Sequence, residues 1–116
     1  QKGKILCELY GRKNDKLIMG NFVKLINGET PVLTDFYATW CGPCQAMAPI
    51  LKEVKNGLEN KVTVVKIDVD KNQAAASRFN VRGVPTLVLF KNGKIVWRKS
   101  GVIPAAQLIS EISPFL

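Results

Sequence analysis

The chain has 116 residues, of which 47% are apolar and 22% charged, with a formal net charge of +8. That is the size and composition of one domain with its own hydrophobic core, neither disordered nor carrying an apolar run near the ~18 residues of a membrane span. It contains no histidine and three cysteines, which excludes His-based acid–base catalysis, Cys–His nucleophile pairs, and Cys₂His₂ or Cys₄ zinc sites.

In chain order, residues 4–9 form a short first strand, and residues 1–16 as a whole read as an N-terminal extension with that strand. Leu17 to Ile26 reads as a helix with Phe22, Leu25 and Ile26 on one face, stopped by Asn27-Gly28. Pro31 opens a β-branched and aromatic strand, Val32 to Tyr37. A long helix follows from Pro43 to Glu59, with Met47, Ile50, Leu51, Val54 and Leu58 at helical spacing. Pro43 suits its first turn, and Pro49 falls inside it as an expected kink. Val62 to Val69 is a near-continuous apolar run, read as a strand buried on both faces. Gln73 to Phe79 is a short alanine-rich helix.

Thr86 to Phe90 and Lys94 to Arg98 flank Asn92-Gly93, a strong hairpin signal. Pro104 starts a final helix carrying Leu108, Ile109 and Ile112. The order β-α-β-α-β-α-β-β-α predicts an α/β domain: a central mixed sheet, parallel through right-handed crossovers and antiparallel at the hairpin, with helices on both faces.

Cys41 and Cys44 stand where a strand gives way to a helix. A disulfide across so short a spacing closes almost no loop, so its structural value is small and its redox value larger. A thiolate at a helix N-terminus is stabilised by unpaired N–H groups and the macrodipole. Cys41 is thus expected to be the acidic, exposed thiol and Cys44, one turn inward, the shielded one. Cys7 reads either as a small buried hydrophobe or as a second reactive thiol. The positive charge reads either as a solvated surface or as one facing acidic proteins or a membrane. No dense basic run with interleaved aromatics suggests nucleic acid.

The segment Asp35-Phe36-Tyr37-Ala38-Thr39-Trp40-Cys41-Gly42-Pro43-Cys44 resembles the active-site strand and loop of thioredoxins. Met47 to Leu51, Lys66 to Asp70, Val81 to Thr86, and Phe90 to Gly93 are similar to later family motifs in the same order, so the likeness spans about residues 17–113. It implies the thioredoxin fold and a protein disulfide reductase working by dithiol–disulfide exchange, with Cys41 attacking and Cys44 resolving.

It further implies no cofactor beyond a redox-active Cys41–Cys44 disulfide. The implied partners are disulfide-containing client proteins and an upstream reductase or membrane thiol donor, with the chain acting as a monomer. Val84-Pro85 is similar to the family's cis-proline, and Trp40, Gly42, Pro43, Val84, Pro85 and Gly101 would form the client-contacting rim. For Trp40 the alternative is ordinary core packing.

Asp35 alternates with Leu33 and Tyr37 on one strand face. A carboxylate among such neighbours is costly unless paired or protonated. The family reading makes it the buried acid/base that manages the proton of Cys44, with Lys66 tuning it. The alternatives are a strand-end surface carboxylate for Asp35 and a solvent-seeking ammonium for Lys66. The chain departs from the commonest family pattern at Gln45, where a cation is usual, and at Tyr37, where Trp is frequent.

Two readings compete with reduction: a disulfide oxidant or isomerase, disfavoured by Gly42-Pro43 in place of a His between the cysteines, and a non-catalytic binding module. The start at Gln1, with no initiator Met, leans the expected location toward export to a periplasm, with the cytoplasm as alternative.

Overall fold

A computed structural model describes residues 7–9 and 15–116, with side chains from Asn21 onward. The elements run β1 (Cys7–Leu9), α1 (Asp15–Ile26), β2 (Val32–Tyr37), α2 (Gly42–Leu58), β3 (Thr63–Asp68), α3 (Gln73–Arg78), β4 (Thr86–Lys91), β5 (Lys94–Ser100) and α4 (Ala105–Ile112). Short 3₁₀ turns follow α2 and α4 at Glu59–Lys61 and Ser113–Phe115. The sheet order is β1-β3-β2-β4-β5. The β1–β3 and β2–β3 pairs are parallel, and β2–β4 and β4–β5 antiparallel. This is the expected mixed sheet.

β2 is central and buried at every position, and its alternation splits the core. Leu33 joins Met47, Leu51, Val54, Leu108 and Ile112 beneath α2 and α4. Val32 and Phe36 join Phe22, Ile26, Val88 and Phe90 beneath α1 and α3. In that second layer Phe79 lies edge-on to Phe22 and Phe90, with centroids 5.7 and 5.0 Å away.

The Asn92-Gly93 turn has positive φ at both residues, 52° and 79°, which matches the right-handed twist of a hairpin. A side chain at Gly93 would collide with Asn27, because the Gly93 N–H donates to the Ile26 carbonyl at 2.8 Å and pins the turn against the end of α1.

Some details differ from expectation. Pro104 is the N-cap of α4 rather than its first residue, with an extended ψ of 149°. Phe79 caps α3 rather than ending it. β3 is not buried on both faces throughout, since Thr63 and Lys66 are half-buried. Pro49 lies inside α2 as expected, on its exposed side. Of the first strand, residues 4–6 and the Cys7 side chain lie outside the described residues, as does most of 1–16.

Candidate active site

The dithiol sits at the junction of β2 and α2. Cys41 is the N-cap of α2, with extended φ and ψ of −88° and 113°. Its sulfur accepts a hydrogen bond from the Cys44 backbone N–H at 3.1 Å. An N-cap acceptor ordinarily is an oxygen; here the place is held by the sulfur whose anion the helix terminus would stabilise. Cys41 and Cys44 form a disulfide with a Cα–Cα separation of 5.2 Å. Both residues are only 4% exposed, so the expected contrast between an exposed and a shielded cysteine is absent from this oxidised form. Tyr37 and Ala38 cluster with the pair, and Val69 and Val84 pack against that cluster.

The Val84–Pro85 peptide bond is cis, and the Val84 carbonyl oxygen lies 3.7 Å from the Cys41 sulfur. Gly101, at φ +93°, donates its N–H to the Pro85 carbonyl at 2.9 Å. The fold thus brings Cys41, Val84, Pro85 and Gly101 together. Gly42 and Pro43 are exposed beside them. Trp40 is 71% exposed, which excludes core packing. Its indole Nε1 donates to Asp70 Oδ2 at 2.7 Å and is thereby held at the edge of a groove of about 250 Å³ lined by Trp40, Val69, Val81, Arg82, Gly83 and Val84.

Beneath the dithiol, Asp35 is 0% exposed, so it is no surface carboxylate. It is in register with Lys66 on β3 and Leu87 on β4. Lys66 is half-buried, and its ammonium lies 4.5 Å from the centroid of the Tyr37 ring, within cation–π range. It does not simply run out to solvent. With Tyr37, Thr39, Cys44 and Gln45 it lines a second cavity of about 220 Å³ on the Cys44 side.

Asp70 was not singled out by sequence reasoning. It lies in the segment Lys66 to Asp70, but its link to Trp40 spans thirty positions and leaves no local pattern. Arg82 and Val69, which line the groove, were missed for the same reason. Among the described residues no group of three or more His, Cys, Asp or Glu is placed to hold a metal, and no helix is long and apolar enough to cross a membrane.

A family profile described as Thioredoxin matches residues 14–114. The chain belongs to the thioredoxin family. It is 53% identical over 97 residues to a thioredoxin-like protein of Synechocystis, covering 83% of this chain and 92% of that one. It is 45% identical to a thioredoxin of Alicyclobacillus acidocaldarius, covering 83% and 91%. A chloroplastic thioredoxin Y of rice is 49% identical over 87% of this chain, which spans 61% of the rice protein. A solved structure of a thioredoxin variant from Halobacterium salinarum superposes with a TM-score of 0.75 at 39% identity, covering 93% of this chain and 89% of that one. With its Cys-x-x-Cys pair, this thioredoxin-family chain is a thiol–disulfide oxidoreductase that reduces protein disulfides by dithiol–disulfide exchange.

Proposed function

We propose that Cys41 is the attacking thiol and Cys44 the resolving one, and that the rim around them grips an extended client segment. The observation that carries this reading is the Cys41 sulfur standing as N-cap of α2 beside the Val84 carbonyl. The Cys41 thiolate attacks one sulfur of a client disulfide; a mixed disulfide forms and the other client sulfur leaves as thiolate. Cys44 then loses its proton, with Asp35 as base through water, and its thiolate attacks the Cys41 sulfur. The second client sulfur leaves, the client is reduced by two electrons, and the enzyme is left as the Cys41–Cys44 disulfide.

Val84 presents backbone groups to the client on one side of the dithiol, while Trp40, Gly42, Pro43 and Gly101 supply a low, mostly apolar rim. Lys66, neighbouring Asp35 across the β2–β3 register, biases the charge of that carboxylate.

Turnover requires a dithiol donor upstream, a reductase or, for a chain exported to a periplasm, a membrane thiol donor. In the exported case, deleting the donor leaves Cys41–Cys44 oxidised in intact cells; a dithiol that stays reduced without it rules export out. The chain is proposed to act as a monomer on proteins rather than nucleic acids.

The direct test is reduction of insulin disulfides by the reduced protein. Turnover that depends on both cysteines is expected. A binding module would show none, and an oxidant or isomerase would reshuffle a scrambled substrate faster than it reduces insulin.

A further inference from the structure

Between α3 and β4, residues 81–84, with Arg82 and Gly83 exposed and Val81 and Val84 half-buried, must be held in place for Val84 to meet both Cys41 and a client. Downstream the fastening is firm. Pro85 and Thr86 enter β4, the Thr86 hydroxyl donates to the Gly83 carbonyl at 2.6 Å, and it lies 3.0 Å from the Ser100 hydroxyl. Upstream, Phe79 packs edge-on to Phe22 and Phe90. Asn80, at a left-handed φ of 56°, donates its N–H to the Ser77 carbonyl at 3.2 Å, and Val81 donates to the Ala76 carbonyl at 2.8 Å.

A side-chain tie to the backbone carbonyls of Phe79 and Asn80 comes from β5. Arg98, in register with Val88, donates from its two terminal nitrogens to the carbonyls of Phe79 at 2.5 Å and Asn80 at 2.6 Å. These are carbonyls at the end of α3, where a cation is favoured. A planar guanidinium presents two donors to them in a fixed fork, which a flexible ammonium does not.

We propose that Arg98 is a positioning residue for client binding, its guanidinium holding the carbonyls of Phe79 and Asn80 so that residues 81–84 stay in the conformation a client segment pairs with. The inference rests on the reading of Val84 as a client-gripping residue. Arg98 touches neither sulfur nor client, so its loss lowers the fraction of molecules with a competent loop and raises the apparent dissociation constant in proportion.

The test compares insulin with dithiobis-nitrobenzoate, a small disulfide that needs no extended pairing. For Arg98→Ala, the KM for insulin is expected to rise about fivefold with kcat unchanged, while the small disulfide is reduced at the unaltered rate. Arg98→Lys should recover part of the effect, and added guanidinium should lower the raised KM of Arg98→Ala. Amide exchange at residues 81–84 should quicken in Arg98→Ala well below its unfolding temperature.

If insulin and the small disulfide are affected equally, or if KM and loop exchange are both unchanged while only the unfolding temperature falls, Arg98 merely stabilises α3 and the proposal is overturned. If wild-type protein fails to reduce insulin at all, it is the functional reading that fails.

Discussion

The two ends of α2 are built for opposite purposes. At the C-terminal end, Lys55 is 8% exposed, and its ammonium donates to the carbonyls of Glu59 at 2.8 Å and Val62 at 2.6 Å. These carbonyls are satisfied in the interior by a side chain of the same helix, although Glu59 there holds a left-handed φ of 50°. At the N-terminal end no carboxylate or hydroxyl takes the cap, and no acidic residue lies in the first turn. The positive end of the helix is left to a sulfur. One terminus is ordered by a buried cation; at the other, on the proposed mechanism, the field favours a thiolate.

The largest expected effect comes from removing that sulfur. Cys41→Ser should lower disulfide reduction by at least about 10³-fold, while its unfolding temperature stays level or rises, because Ser is a good N-cap. Loss of activity with a large fall in unfolding temperature would mean the cysteine is structural. Cys44→Ser should instead accumulate a covalent mixed disulfide with clients, visible by mass spectrometry under non-reducing conditions. Wild-type turnover by that variant would exclude the two-cysteine mechanism.

Asp35→Asn sharpens the comparison next, since it changes charge beneath the N-terminal end without touching the cap. It should slow the step that releases reduced client by up to about 10²-fold and flatten its pH dependence, while the protein stays folded. An unaltered release rate between pH 6 and 8 would remove Asp35 from proton transfer. Trp40→Ala should raise the KM for protein disulfides by about tenfold, as expected for an aromatic contact at an interface, and leave small disulfides nearly unaffected.

Much of this contrast was legible in the sequence at one end and hidden at the other. The Cys-Gly-Pro-Cys run, Pro43 in the first turn and the strand before it are local patterns, so the dithiol, the helix start and the β-α-β order could all be read directly. Asn92-Gly93 announced the hairpin for the same reason. The cis Val84–Pro85 bond was readable only through the family resemblance, because an X–Pro bond is trans by default.

Lys55 lies four residues after Leu51 and three before Leu58, at the apolar stripe of α2, but its partners depend on the chain turning back at Glu59 to present two carbonyls, which no local pattern shows. The Trp40–Asp70 link and the Arg98 contacts likewise join residues far apart in sequence. The shared shielding of both cysteines involves Val84, which comes from the loop between α3 and β4, and no spacing rule within Cys-x-x-Cys encodes that.

The smallest effects belong to the C-terminal end. Lys55→Met should leave disulfide reduction unchanged yet destabilise the fold by about 1–3 kcal/mol, the cost of leaving buried carbonyls unpaired. Burial holds the Lys55 pKa below the usual 10.5. Between that lowered value and 10.5 the unfolded chain binds more protons than the folded one, so this group's contribution to stability rises with pH across the window. Below the folded value both states are protonated and the slope vanishes. Denaturation of wild type against Lys55→Met across the alkaline range should show this slope in the wild type alone.

The central claim, that the N-terminus of α2 is reserved for an attacking thiolate at Cys41, is tested most directly by limiting alkylation of the fully reduced protein. The site of first modification would be mapped by mass spectrometry as a function of pH. Cys41 should be modified first, with a titration midpoint below that of an ordinary cysteine, and Cys44 should follow only at higher pH. First modification at Cys44 or Cys7, or a Cys41 midpoint at or above the usual ~8.5, would contradict it.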